Sequence, residues 1–172
     1  MILAACLAMA ASRMTIAAAD TGPPATLHLQ NAEPSIDSLL AKLKQALETK
    51  DRKLLHSLRV TEDEYRNVIM PGSVPEGQPR AQYSEQASQY FWSILNLKSV
   101  YSEANLLDEY GGKPIKLTAV DYHKGVQHYR DYTAYKQLHI TVEDDTGKKD
   151  TMKIGSIAEV GGAYKFISFV RD

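Results

Sequence analysis

Tyr135-Lys136-Gln137-Leu138-His139-Ile140-Thr141-Val142-Glu143 is the stretch that decides the fold class. Lys136, Leu138, Ile140 and Val142 alternate with Tyr135, Gln137, His139, Thr141 and Glu143, the period-2 pattern of a half-buried strand. The chain then turns through Asp144-Asp145-Thr146-Gly147-Lys148, alternates again from Thr151 to Val160, turns at Gly161-Gly162 and closes on Tyr164 to Val170. Upstream, Ile115 to Tyr122 predicts a first strand and Gly125 a turn or bulge. The tyrosine-rich Val126 to Thr133 fits either strand or loop.

The first half has the other period. Ile36, Leu39, Leu40, Leu43 and Leu47 recur at helical spacing, with Lys42, Lys44, Gln45 and Glu48 mostly opposite and Pro34-Ser35 as the start signal. Asp51 caps a short second helix that buries Leu54, Leu55 and Leu58. Thr61-Glu62-Asp63-Glu64 forms a capping box ahead of a third helix with Tyr65, Val68 and Ile69 inside, ended by Pro71-Gly72. Pro71 to Arg80, with three prolines and two glycines, is a loop. Ser84 opens a long helix expected to run to Tyr110 and stop at Gly111-Gly112, with Tyr90, Phe91 and Ile94 on its buried stripe and Trp92 off it. Helices first and antiparallel strands after give an α+β class, N-terminal helices packed on a curved antiparallel sheet.

The chain of 172 residues is 44% hydrophobic and 24% charged with a formal net charge of −1, enough to bury a core of its own. The charges are mixed and form no basic stripe, so nucleic acid is not expected as a partner. No apolar run approaches the roughly 20 residues of a membrane-spanning helix. Met1 to Ala11 is apolar and alanine-rich, and Ala17-Ala18-Ala19 suits signal cleavage, so residues 1–19 read as a signal peptide of an exported, periplasmic or secreted protein. No Lys or Arg precedes the apolar run, which leaves a disordered alanine-rich tail as the alternative. Asp20 to Pro34 reads as a flexible linker and residues 35–172 as a single domain. The one cysteine, Cys6, lies in the leader. Leu3-Ala4-Ala5-Cys6 has the letters of a lipoprotein box, but only two residues precede it, so a lipid anchor is not expected. Beyond the leader there is no disulfide or thiolate chemistry to consider.

Leu39 to Leu47 followed by Glu48-Thr49-Lys50-Asp51 and Leu54-Leu55 resembles the opening of nuclear transport factor 2-like domains. Glu159 to Phe169, with a Gly turn ahead of Tyr164-Lys165-Phe166, is similar to their closing strand. The resemblance spans about Ser35 to Asp172. It implies a cone-like domain, a bent sheet around the first helix with a cavity between. That superfamily holds isomerases, dehydratases, binding modules and secreted proteins, so the fold alone leaves function open.

Asp121, His123 and His128 form the best polar cluster. Asp121 and His123 share a strand face, and His128 can return across the Gly125 turn. A carboxylate beside an imidazole makes a general base, or a start on a metal site. With no recognised ligand spacing, a solvated strand end is the plainer reading, and neither metal nor cofactor is expected. Tyr122, Tyr132 and Tyr135, with Tyr90 and His139, suit the lining of a ligand cavity or contact surface, or else simple cross-strand packing. His56 reads as surface. The expectation is an exported non-catalytic domain that binds a small apolar molecule or a protein through its cavity or open sheet face, including a homodimer through that face. A small acid–base enzyme of isomerase or dehydratase type and a structural assembly subunit are the alternatives.

Overall fold

The computed structural model describes residues 27–170. The expected signal peptide, Cys6 and the beginning of the linker lie outside them.

Helix α1 (Ile36–Glu48) starts where Ser35 accepts a hydrogen bond from the Ser38 N–H at 3.0 Å, and it buries Leu39, Leu40, Leu43, Ala46 and Leu47. The apolar stripe read from spacing is therefore the buried one. Lys50, at φ +54, turns the chain. Asp51 then caps α2 (Arg52–Ser57) by accepting from the Lys53 and Leu54 N–H groups. The Thr61–Glu64 capping box is present in both directions and opens α3 (Glu62–Glu64). The helix widens without a break into a π-helical turn (Tyr65–Ile69) and tightens again as α4 (Met70–Gly72). Helix α5 (Glu85–Tyr110) has Ser84 as its cap and ends at Gly111.

Among the described residues seven strands follow in two antiparallel sheets: β1 (Ile115–Tyr122), β4 (Leu138–Asp144) and β5 (Lys149–Ile154) in the order β1-β4-β5, and β2 (Val126–His128), β3 (Thr133–Tyr135), β6 (Ile157–Val160) and β7 (Ala163–Phe166) in the order β2-β3-β6-β7. The uncertain stretch from Val126 thus supplies a strand and a loop. Three strand paths cross from one sheet to the other at corners. At the first, the His123 N–H donates to the Gln137 carbonyl and the Lys136 N–H to the Gly125 carbonyl, both at 2.9 Å. Gln137, at φ +53, makes the second corner. Gly155-Ser156 makes the third, splitting the alternating run expected from Thr151 to Val160. A Cβ on Gly155 would stand 2.4 Å from the Ser168 carbonyl, so only glycine permits that approach. Gly161 and Gly162 both have positive φ and close the β6–β7 hairpin in the two-residue form that suits twisted strands.

Two cores result. The larger joins α1, α2 and the C-terminal end of α5 to Leu138, Ile140, Val142, Met152, Ile154, Ile157 and Phe166 of the sheets. The smaller lies across the four-stranded sheet, where Ala134, Ala158 and Val160 meet Leu29, Val60, Val68, Ile69 and Tyr132. Leu29 is fully buried, and Glu33 exchanges both backbone hydrogen bonds with Tyr164. Residues 27–34 are therefore packed structure rather than the flexible linker expected up to Pro34. Their pairing, with that of Leu58 and Val60 to Phe166, covers the β7 edge.

Candidate functional site

Lys165 alternates onto the face of β7 opposite Phe166 and so enters the smaller core. Its ammonium lies 2.9 Å from a Glu64 carboxylate oxygen, both side chains almost wholly buried. Glu64 also accepts from the Thr61 N–H at 2.7 Å and the Gln30 N–H at 2.6 Å. The capping box seen in the sequence is thus also the acceptor for a buried cation. Every polar group of this set has a partner, which marks it as structural.

The second buried cation orients α5. Arg59 follows α2 beside β7, its guanidinium 3.4 Å from Glu103, donating to Asn96 at 2.7 Å and lying over the Trp92 ring at 5.4 Å. Burial pulls the Arg59 pKa down, and the Glu103 charge opposes it. His56 completes the group with Nδ1 3.1 Å from Glu103, so it is a partner of a buried carboxylate as well as a surface residue. Trp92 also meets Tyr65 at 5.6 Å. These contacts turn Trp92, Asn96, Ser99 and Glu103 inward. Tyr90, Phe91, Ile94, Leu97 and Tyr101 are consequently exposed, Leu97 at 72%, Tyr101 at 70% and Tyr90 at 61%. The inward stripe expected for Tyr90, Phe91 and Ile94 is corrected: these residues lie on the outward side of the helix, because its buried face carries the partners of Arg59.

The outward stripe has a definite period. Ala87, Tyr90, Ile94, Leu97, Tyr101 and Ala104 are spaced three and four residues apart in strict alternation, the heptad seam of a coiled coil. Ser88, Trp92, Leu95, Ser99, Ser102 and Leu106 lie on the opposite side and point into the domain. Tyr83 packs edge-on against Phe91 at the N-terminal end of the seam. Among the described residues, the exposed large apolar side chains are these and Val126.

The residues singled out on the sheets separate into two groups. Asp121 and His123 come together with His139, not with His128. Asp121 and His139 are partners across β1 and β4, and the His123 and His139 rings stack at 4.5 Å with 12° between their planes. His128 instead lies 3.1 Å from the Thr133 hydroxyl. The Gly125 turn carries it into the other sheet, which is why it does not join the cluster. The tyrosines pack. Tyr122 lies 5.1 Å from Tyr135 and Tyr135 6.3 Å from Tyr164, against the larger core. Tyr132 is buried, stacks on Tyr129 and shares a hydrogen bond with Ser73. Burial pushes Tyr132 up to about 12 despite that bond, and raises Tyr122 and Tyr135 as well. At neutral pH all three are un-ionised phenols.

No protein-family profile, curated protein or solved structure matches the chain. No helix among the described residues is long and apolar enough to cross a membrane.

Proposed function

We propose that this protein is a non-catalytic interaction domain that pairs with a second copy of itself through the outward seam of α5. The observation that carries this is the inversion of α5: polar Asn96, Ser99 and Glu103 point inward while Tyr90, Leu97 and Tyr101 face water. A contiguous exposed apolar patch is costly unless something covers it. The alternating three-and-four spacing selects a helix as the cover, since that period keeps one stripe facing a partner helix. A twofold pair provides such a helix from the same sequence, with one patch meeting itself.

The areas agree with this. With an aromatic side chain of roughly 200 Å², the exposed parts of Tyr83, Tyr90, Phe91, Ile94, Leu97 and Tyr101 amount to about 600 Å² per copy. Two copies would bury about 1,200 Å², the lower end of stable specific interfaces. The surface is the helix rather than the sheet face expected from the sequence, because the sheets expose little large apolar surface. Export remains part of the reading, supported by the apolar Met1–Ala11 and the Ala17-Ala18-Ala19 pattern. A nuclear transport factor 2-like ancestry is supported by the Asp51-capped second helix and the Gly161-Gly162 hairpin.

Light scattering on eluting protein tests the pairing. The wild type is expected at twice the chain mass, and Leu97→Asp and Tyr101→Asp at the single mass. Trp92 is on the inward face and reports that both variants remain folded. A wild type that elutes at the single mass at high concentration contradicts the reading.

A further inference from the structure

We infer that Asp121, His123 and His139 form a zinc site at the junction of β1 and β4. Among the described residues, these three bring one carboxylate oxygen and two imidazole nitrogens within 4.8 Å of one another. One carboxylate and two imidazoles are a donor set that suits a borderline cation such as Zn²⁺ and leaves a coordination position for water.

The scaffold explains why these atoms converge. Asp121 and His139 are directly opposed in the β1–β4 register, and His123 lies two residues beyond Asp121, on the same face by strand alternation. The His123 N–H bonds to the Gln137 carbonyl at 2.9 Å, which holds the end of β1 against β4 up to that residue. Two ligands therefore come from one strand path and the third from its neighbour, on paired backbone rather than on a free loop.

The shifts required are small. Zinc–ligand bonds of about 2.0–2.2 Å in tetrahedral geometry place donor atoms roughly 3.4 Å apart, so the set must close by up to about 1.4 Å. Stacked rings cannot aim in-plane lone pairs at one point, and each must turn about its χ angles. Asp121 and His123 are exposed and His139 is half-buried, so no core packing resists that turn. Lys153 opposes the site, being the partner of His139 across β5, and Lys124 follows His123 directly. Their charge limits the affinity, and the Asp121 carboxylate offsets part of it. The site shares no residue with the α5 seam, so it stands or falls apart from the pairing.

Titrating Zn²⁺ into the full chain by calorimetry tests the site, with Asp121→Asn, His123→Ala, His139→Ala and His128→Ala in parallel. One Zn²⁺ per chain is expected. The first three variants should each weaken binding by about tenfold or more, at least the loss that follows when a hydrogen-bond partner behind a metal ligand is removed, and His128→Ala should leave it unchanged. The His123 and His139 ring resonances of the wild type should shift together at one equivalent, a readout that needs no variant. Wild-type binding no tighter than that of the His123→Ala/His139→Ala pair would overturn the assignment. So would a loss in His128→Ala as large as in the other variants.

Discussion

Replacing Glu64 with alanine removes one carboxylate from three donors at once. The Lys165 ammonium at 2.9 Å, the Thr61 N–H at 2.7 Å and the Gln30 N–H at 2.6 Å all lose their acceptor inside the smaller core. Lys165 keeps only the Gln30 carbonyl at 3.1 Å. An ammonium stranded in this way costs about 3–5 kcal/mol, a large part of the roughly 5–15 kcal/mol that holds a domain together. With a urea slope of about 2 kcal/mol/M, the midpoint should fall by about 1.5–2.5 M. Lys165→Met should cost less, because Glu64 retains two backbone donors. The Glu64→Gln/Lys165→Met pair, which buries no charge, should lie nearer the wild type than Glu64→Ala. Urea unfolding followed by far-ultraviolet circular dichroism measures all three. A Glu64→Ala midpoint within about 0.3 M of the wild type would refute the buried-acceptor argument, as would a double variant less stable than Glu64→Ala.

Leu43 is fully buried at the middle of α1, so Leu43→Ala should cost about 2–5 kcal/mol. Lys44→Ala loses one surface pair with Glu48 and should cost less than about 0.5 kcal/mol by the same unfolding assay. Gly155→Ala drives a methyl group against the Ser168 carbonyl and should cost about 1–3 kcal/mol; a neutral result would mean the corner can relax. Burial pushes Glu33 up, but hydrogen bonds from Lys42 and Ser38 outweigh it and hold the carboxyl below its ordinary value. The Lys44 ammonium and the Ile115 N–H lower Glu48. Both contribute stability that is present above the unfolded carboxyl value and lost as pH falls through the folded one. Melting temperature against pH should therefore drop below about pH 5, and Glu33→Gln should flatten that limb. For export, amino-terminal sequencing of secreted protein should begin at Asp20, and an uncleaved chain in the cytoplasm would defeat the claim.

Much of the fold was legible because local chemistry and long-range packing agree. Ser35, Asp51, Thr61 and Ser84 all cap helices, and Gly161-Gly162 closes a hairpin, as their residue types dictate. Leu138, Ile140 and Val142 point inward as their alternation requires. The corners at Gln137 and Gly155 were hidden, since a non-glycine at positive φ and a glycine at a tight crossing leave little periodic trace. The orientation of α5 was hidden for a different reason. Its apolar residues form a better stripe than its buried ones, and reading it correctly requires knowing that Arg59 lies beneath Asn96 and Glu103. Trp92, off the apparent stripe, was the one local sign. The zinc ligands illustrate both cases: Asp121 and His123 share a face by simple alternation, whereas His139 joins them only through the β1–β4 register.

The distance between two copies of Ser93 tests the central claim most directly. Ser93 is exposed on α5 and flanks the seam between Tyr90 and Ile94. With Cys6→Ser removing the single native thiol, a spin label at Ser93→Cys reports only on the pair. Helices packed along the seam have axes about 8–10 Å apart, and residues near the centre are offset along the axis by only a few rises of 1.5 Å. Pulsed dipolar spectroscopy is then expected to give one narrow distribution below about 30 Å, lost in the Leu97→Asp background. A wild-type sample with no dipolar modulation, or with the same distribution in Leu97→Asp, would contradict the account.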